Sequence, residues 1–244
     1  MAAYNAEKTI SEAIESVLKQ SYEDYELIVI NDCSTDSTEN IVRKYQEKDQ
    51  RVRLITNKQN RGVSKTRLVG LKESKGNWIA ILDSDDEWKE HKLEKQVRLV
   101  REKRAELVFT GSGFMNSEGK KIKGYLPAPE VIDYKKLLKQ NVVSNSSVLV
   151  KKYLYKRYYA ENDLMHEDFA IWLRILRTGR LAYGIDEPLL IYRLSASSKS
   201  SNKLKAAKMN WNTYRYIGLN IFQSLYYECL YAINGIRKYR RIKD

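Results

Sequence analysis

The chain has 244 residues, 43% of them hydrophobic and 31% charged, with a formal net charge of +13 at pH 7. That length suits one large domain or a domain with an appendage, and the apolar content excludes wholesale disorder. Cys33 and Cys229 match no metal-ligand spacing and fit a reducing compartment; neither a signal peptide nor a membrane span is expected.

In chain order, Asn5 is expected to cap a helix with Ile10, Ala13, Ile14, Val17 and Leu18 on one face. Tyr25 to Ile30 reads as a strand running into Asn31 and Asp32, and the polar turn Ser34–Thr38 offers N-caps for a helix carrying Ile41, Val42 and Tyr45. Val52–Thr56 is a third strand, Asn57–Gly62 a loop, and Val63–Ser74 a helix. Trp78 to Leu82 is a short apolar run of the kind buried on both faces inside a parallel sheet. Asp83, Asp85 and Asp86 follow it, and a helix is expected from about Lys89 to Glu102.

Strands alternating with helices at this pitch predict βαβ units, a parallel sheet and an α/β fold. Right-handed crossovers then bring Asp32 and the acids at 83–86 to one sheet edge, where open α/β sheets bind ligands. Three carboxylates in four positions repel one another unless a cation or a hydrogen-bonded ligand compensates. The competing reading is a solvated acidic turn that caps the next helix.

Further on, Glu106–Met115 and Lys120–Tyr125 read as a hairpin around Asn116–Gly119, Asp133–Gln140 as a short helix, and Asn145–Val150 as a strand with a polar start. His166-Glu167-Asp168 precedes a strongly amphipathic helix with Phe169, Trp172, Leu173 and Leu176 on one face and Gly179 as terminator. Strands at Leu181–Ile185 and Leu189–Leu194 close the globular part, and Ser195–Ser201 is the candidate linker. The predicted organisation is a domain over 1–198, its nucleotide-binding half 1–105 and acceptor half 106–198, with a basic helical tail over 199–244.

Six pieces in order resemble the family 2 glycosyltransferases, inverting enzymes of the GT-A fold. They are Ala3–Glu7; Val29–Asp32 with Ser34–Thr38; Asn60–Gly62 with Thr66 and Arg67; Leu82–Asp86; Trp88 with Lys92, Leu93 and Gln96; and Glu167–Asp168 with Trp172 and Leu173. The match spans roughly residues 2 to 198, and its second half is similar to capsule and teichuronic-acid assembly enzymes. The resemblance implies a nucleotide diphosphate sugar donor, of UDP type, and a lipid-linked or polysaccharide acceptor. It implies a rim of Ala3 and Tyr4 beside the base, Asp32 at the uracil edge, Asp83 at the ribose and metal shell, and Asp85 as the acid that holds Mg²⁺ or Mn²⁺. Asp86 is expected to cap the following helix. Arg67 is expected near the diphosphate or, equally, as an ordinary helix-face arginine. Asp168 is expected as the single base that an inverting displacement needs; Glu167 and Asp168 also simply favour a helix N-terminus. Where relatives carry a histidine after the Tyr-Arg of the closing strand, this chain has Ser195, which argues against a histidine metal ligand; His91 reads as surface, and His166 as structural or as a contact to acceptor or diphosphate. Glu90 stands where relatives often have proline, and should only loosen a turn.

The residues argue against two other classes. A nucleotidyltransferase would carry a Gly-rich basic loop at the first turn, and Ala2–Asn5 has none; a nucleic-acid-binding protein would fit the charge, but no such motif is present. From Lys199 to Asp244 there are ten Lys or Arg against Glu228 and Asp244. With Trp211, Tyr214, Ile221, Phe222, Leu225, Cys229, Ile233 and Ile236 at helical spacing, residues 204–244 read as an interfacial helix on an anionic membrane or as a helix packed on the domain. The expected location is cytoplasmic, peripheral on the inner face of the plasma membrane. In the resembled family a hydrophobic strand leads into the motif that here begins at Ala2, so about six to ten further residues, mostly Val and Ile, are expected ahead of Met1.

Overall fold

The computed structural model describes residues 1–194 and 203–243, and of residues 203 and 236–243 the helical backbone alone. The expected Ser-rich break at 195–201 lies outside the described residues.

The first half runs β1 (Ala2–Ala3), α1 (Ile10–Leu18), β2 (Leu27–Asn31), α2 (Thr38–Lys48), β3 (Val52–Thr56), α3 (Val63–Glu73), β4 (Trp78–Ala80), β5 (Glu87–Trp88) and α4 (Lys92–Lys103), the expected alternation from α1 to β4 with the two-residue strands β1 and β5 in addition. β1, β2 and β3 form a parallel sheet in that order. Every residue of β2 is buried, and Ile10, Ala13, Ile14 and Val17 of α1 pack against it with Val42 of α2. A strand covered on both faces must be apolar throughout, which is why this run carries no alternation.

The second half contributes β6 (Leu107–Met115), β7 (Lys121–Leu126), β8 (Val131–Ile132), α5 (Tyr134–Lys139), a 3₁₀ turn (Asn145–Ser147), β9 (Leu149–Lys151), α6 (Lys152–Tyr158), α7 (Glu167–Leu176), β10 (Ala182–Arg193), α8 (Lys203–Tyr216) and α9 (Ile221–Lys243). A seven-stranded mixed sheet runs β4-β9-β6-β10-β5, with β7 on β6 and β8 on β10. Its longest pairing, β6 with β10, is parallel.

Several local expectations are corrected. The Trp78 strand is three half-buried residues, and it pairs antiparallel with β9 instead of sitting inside a parallel sheet, because Leu149–Lys151 returns beside it. Asn5 caps no helix. It adopts φ +47°, its N–H donates to Ser34 Oγ (3.0 Å), and its side-chain oxygen accepts from the Thr35 N–H (2.8 Å). The expected strand start at Asn145 is a 3₁₀ turn, and α6 was not foreseen. The two strands expected at 181–194 are one, β10, with register shifts around Pro188, whose ring removes a ladder donor. α7 is buried around its whole circumference, from Phe169 to Leu176 save Arg174, so it is a central core helix and not an amphipathic one.

The tail is two helices separated by Gly218 (φ +87°), a conformation that costs only glycine little. Tyr214, Ile217 and Leu219 belong to the same core as Phe169 and Trp172, and the Tyr214 hydroxyl donates to Leu138 O (2.6 Å). A cavity of about 580 Å³ lies beside β1, lined by Ile28, Ile30, Gly70, Ile79 and Leu149 among others. The Met1 amino group is buried there, and desolvation pushes its pKa down to about 5.

Candidate active site

The chain ends of β2 and β4 come together through their loops. Thr9, just before α1, donates through its hydroxyl to Ser84 O (2.9 Å), tying the loop after β1 to the aspartate turn. The Ala6 N–H donates to Thr38 Oγ1 (2.8 Å), and the Asp32 N–H to Ala3 O (2.8 Å). Ala3 is buried at this junction, and Tyr4 beside it is half-exposed at 51%.

Asp32 is 3% exposed and fully engaged by the loop that follows β3. Its Oδ1 accepts from the Asn57 amide (2.7 Å) and the Arg61 N–H (3.0 Å), and its Oδ2 from the N–H groups of Gly62 (2.9 Å) and Arg61 (3.2 Å). Asp32 therefore fixes the start of α3. Gly62 stands at φ +82°, and a Cβ there would lie 2.6 Å from Asp163 Oδ2.

Arg67 is the centre of the site. It sits on α3 with its side chain 14% exposed, so the helix-face reading fails. One arm of its guanidinium donates to Asp83 Oδ1 and the other to Glu167 Oε1. Burial works against its charge, yet Asp83 and Glu167 push its pKa well above the usual arginine value. A planar fork bonded to two carboxylates holds them at a fixed spacing. Glu167 is 5% exposed in the first turn of α7, and half-buried Asp168 follows it. The bridge thus sets the acid at the end of β4 and the acid pair of α7 on opposite sides of one guanidinium.

Asp85 and Asp86 complete the turn. Burial first, and the Asp83 charge second, raise the pKa of Asp85; Arg193 and Arg67 oppose that rise. Asp86 is 1% exposed and does not cap the following helix, whose N-cap position is His91. Instead its Oδ1 accepts from the Arg193 N–H (3.0 Å), while Oδ2 is buried with no hydrogen-bond partner among the described residues. Burial, then the charges of Asp83 and Asp85, push its pKa well above the carboxylate range.

Arg193 went unforeseen. At the end of β10 it is 5% exposed, its Nε donates to Asp85 O (2.9 Å), and it pairs with Glu12 and Glu87. The signal in the sequence is the Tyr192-Arg193 pair of the closing strand. The two histidines stay out of the cluster: exposed His91 contacts Ser21 and Glu94, and the His166 ring nitrogen Nε2 lies 3.3 Å from Ala206 O on α8.

Among the described residues no group of three or more His, Cys, Asp or Glu is placed to hold a metal ion by itself. The donor set at the turn is nevertheless a fit for a hard cation. It has two half-buried carboxylates, Asp83 and Asp85, two positions apart in one turn. Mg²⁺ and Mn²⁺ are commonly bound by one or two carboxylates, with substrate phosphates and waters filling the remaining positions.

Comparison with known proteins agrees with this architecture. The family model described as "Glycosyl transferase family 2" matches residues 1–159. A protein of Bacillus subtilis (strain 168) named for teichuronic acid biosynthesis, TuaG, is 36% identical over 237 residues, 97% of this chain and 94% of that protein. The Escherichia coli protein WfgD, named as a UDP-Glc:alpha-D-GlcNAc-diphosphoundecaprenol beta-1,3-glucosyltransferase, is 36% identical over 241 residues, 98% of this chain and 93% of its own length. Among solved structures, S. aureus TarS 1-349 in complex with UDP-GlcNAc matches with TM-score 0.72 at 20% identity, covering 91% of this chain and 67% of that one. The mannosyltransferase PcManGT of Pyrobaculum calidifontis, in complex with GDP-Man and Mn²⁺, matches with TM-score 0.70 at 16% identity, over 94% and 66%. The chain thus spans nearly the whole length of these curated relatives and about two thirds of these solved chains, whose likeness carries the α/β fold of GT-A glycosyltransferases.

Proposed function

The chain belongs to glycosyltransferase family 2, and we propose that it is an inverting enzyme transferring a sugar from a UDP-sugar to a hydroxyl of a lipid-linked glycan acceptor. The observation that carries this reading is the Arg67 bridge, which fixes Asp83 on one side and Glu167, the neighbour of Asp168, on the other. A displacement at an anomeric carbon needs its leaving group and its base on opposite sides of one sugar, and the bridge supports that reading by gathering Asp83 and the Glu167–Asp168 pair about one guanidinium.

In the proposed reaction the uracil lies against Tyr4, in a pocket whose wall Asp32 shapes by holding the 57–62 loop. Asp83 and Asp85 would hold Mg²⁺ or Mn²⁺, whose charge offsets that of the departing diphosphate. Asp168 takes the proton of the acceptor hydroxyl as its oxygen bonds to the anomeric carbon; the carbon–oxygen bond to the diphosphate breaks and UDP leaves. One base and no enzyme nucleophile give inversion. The UDP-linked and diphosphoundecaprenol-linked names of the relatives favour these substrate classes. Calorimetric titration with UDP tests the donor site: binding should strengthen at least tenfold when Mn²⁺ replaces chelator, and equal affinity in both would remove the metal from the account.

An acceptor of this kind lives at a membrane, and α9 carries a face suited to it. Ile221, Phe222, Leu225, Tyr226 and Ile233 are each about half exposed or more, and Lys and Arg follow in the sequence at 237, 238, 240, 241 and 243. No helix among the described residues is long and apolar enough to cross a membrane, so the proposed attachment is peripheral, on the inner leaflet. Removing residues 204–244 would also strip Tyr214 and Ile217 from the core. The test is therefore Phe222→Ser with Leu225→Ser, which should cut recovery with floating phosphatidylglycerol vesicles several-fold; unchanged recovery would overturn the attachment.

A further inference from the structure

Trp88, Lys92 and Gln96 take no part in the chemistry proposed above, yet all three are buried, Lys92 and Gln96 completely. A buried ammonium costs several kcal/mol unless something compensates. Among the described residues no carboxylate lies within ion-pair distance of Lys92, and burial alone lowers its pKa. Its surroundings are an aromatic face and one amide. Nζ lies 4.0 Å from the centre of the Trp88 ring and donates to Gln96 Oε1 (2.8 Å).

That second contact has a geometric consequence. An ammonium can only donate, so the Gln96 oxygen must face it and the amide NH₂ must point away. The NH₂ donates to Ser147 O (2.9 Å), and the Trp88 indole N–H donates to Ser146 O (2.7 Å). Lys92 thereby orients two donors onto consecutive carbonyls of the 3₁₀ turn. The turn in its own right is held by the Ser147 N–H and hydroxyl, both donating to Ser144 O. What leaves this clamp toward the active site is one group, the Ser146 hydroxyl. It accepts the N–H of Asp83 (3.1 Å).

We propose that Ser146 is a positioning residue for the donor-binding aspartates, and that Lys92, through Trp88 and Gln96, fixes where its hydroxyl stands. Asp83 is thus held from two directions, its carboxylate by Arg67 and its backbone by Ser146. A carboxylate or ammonium at position 146 would compete with the cation or with Arg67, whereas a hydroxyl fixes the turn without adding charge.

This inference rests on the donor site proposed above, and its test separates the two. UDP affinity is measured by calorimetry in Mn²⁺ and in chelator for the unmodified protein, Ser146→Ala and Lys92→Met, alongside thermal melting. Loss of one hydrogen bond to the turn predicts that Ser146→Ala weakens Mn²⁺-dependent UDP binding about tenfold, with metal-free binding unchanged. Lys92→Met replaces a buried charge by an apolar chain of similar length, so its melting temperature should hold or rise while Mn²⁺-dependent affinity falls. A purely structural lysine would not separate those two readouts. If the unmodified protein binds UDP and Ser146→Ala binds it equally well in Mn²⁺, the inference is overturned; if the unmodified protein binds no UDP, it falls together with the donor site.

Discussion

Replacing Asp168 by asparagine is expected to lower sugar transfer by about 10²–10⁴-fold, the usual contribution of a general base, while UDP affinity stays within about twofold. The amide keeps the size and hydrogen-bonding reach of the carboxylate but cannot accept the acceptor's proton at neutral pH. Donor affinity is expected to survive because Arg67 bonds to Glu167 and Asp83, not to Asp168. The same substitution at Glu167 should behave differently. It weakens the bridge itself, so it should reduce donor affinity and turnover together. Steady-state kinetics with a UDP-release assay, paired with UDP calorimetry, separates the two patterns. Near-normal turnover by Asp168→Asn would remove it as the base.

The second large effect is on the fold. Arg67→Met takes away the cation shared by Asp83 and Glu167, in a setting where the arginine side chain is 14% exposed and the glutamate 6%. Breaking a buried ion pair by removing one partner typically costs about 3–5 kcal/mol, because the remaining charge is left in a poorly solvated place. At about 2–4 °C per kcal/mol for a chain of this size, melting should fall by roughly 10 °C. Arg67→Lys should recover little, since an ammonium is a point charge and cannot span both carboxylates as the planar fork does. Thermal unfolding of the three proteins measures this, and a melting temperature for Arg67→Met within about 2 °C of the unmodified chain would show the bridge to be solvated and weak.

These expectations depend on contacts that the sequence carried unequally. In the first 105 residues β2, β3 and the four helices were legible because each short apolar run ends in a turn residue or an acid, as Ile30 runs into Asn31 and Asp32. The hairpin at 116–119 and the short helix expected from Asp133, which starts at Tyr134 with the Asp133 side chain accepting from the Lys136 N–H, were legible for the same local reason. What could not be read locally was the company each residue keeps. Arg67 and Glu167 are 100 positions apart, and Arg193 and Asp85 108 apart, so no spacing rule joins them. A buried arginine also looks like a surface one in a helical pattern, because its neighbours Lys65 and Lys72 are charged too. α7 misled in the opposite direction: Phe169, Trp172, Leu173 and Leu176 do share a face, but Ala170, Ile171 and Ile175 between them are buried as well. The tail stripe reads as continuous because Tyr214 and Ile221 keep helical spacing across Gly218. Its two halves have opposite fates, Tyr214 fully buried and Phe222 83% exposed. Asp86 was given to a helix cap by proximity, when a strand 107 residues away supplied its partner.

The most direct test of sugar transfer with inversion is the configuration of the first sugar released. Hydrolysis of UDP-glucose and UDP-N-acetylglucosamine by the unmodified protein in Mn²⁺, with water as acceptor, can be followed by proton NMR before the free sugar equilibrates. The account predicts that UDP release accompanies initial formation of the β-anomer from the α-linked donor, and that Asp168→Asn abolishes both. Initial release of the α-anomer would contradict the single-displacement mechanism and the role given to Asp168.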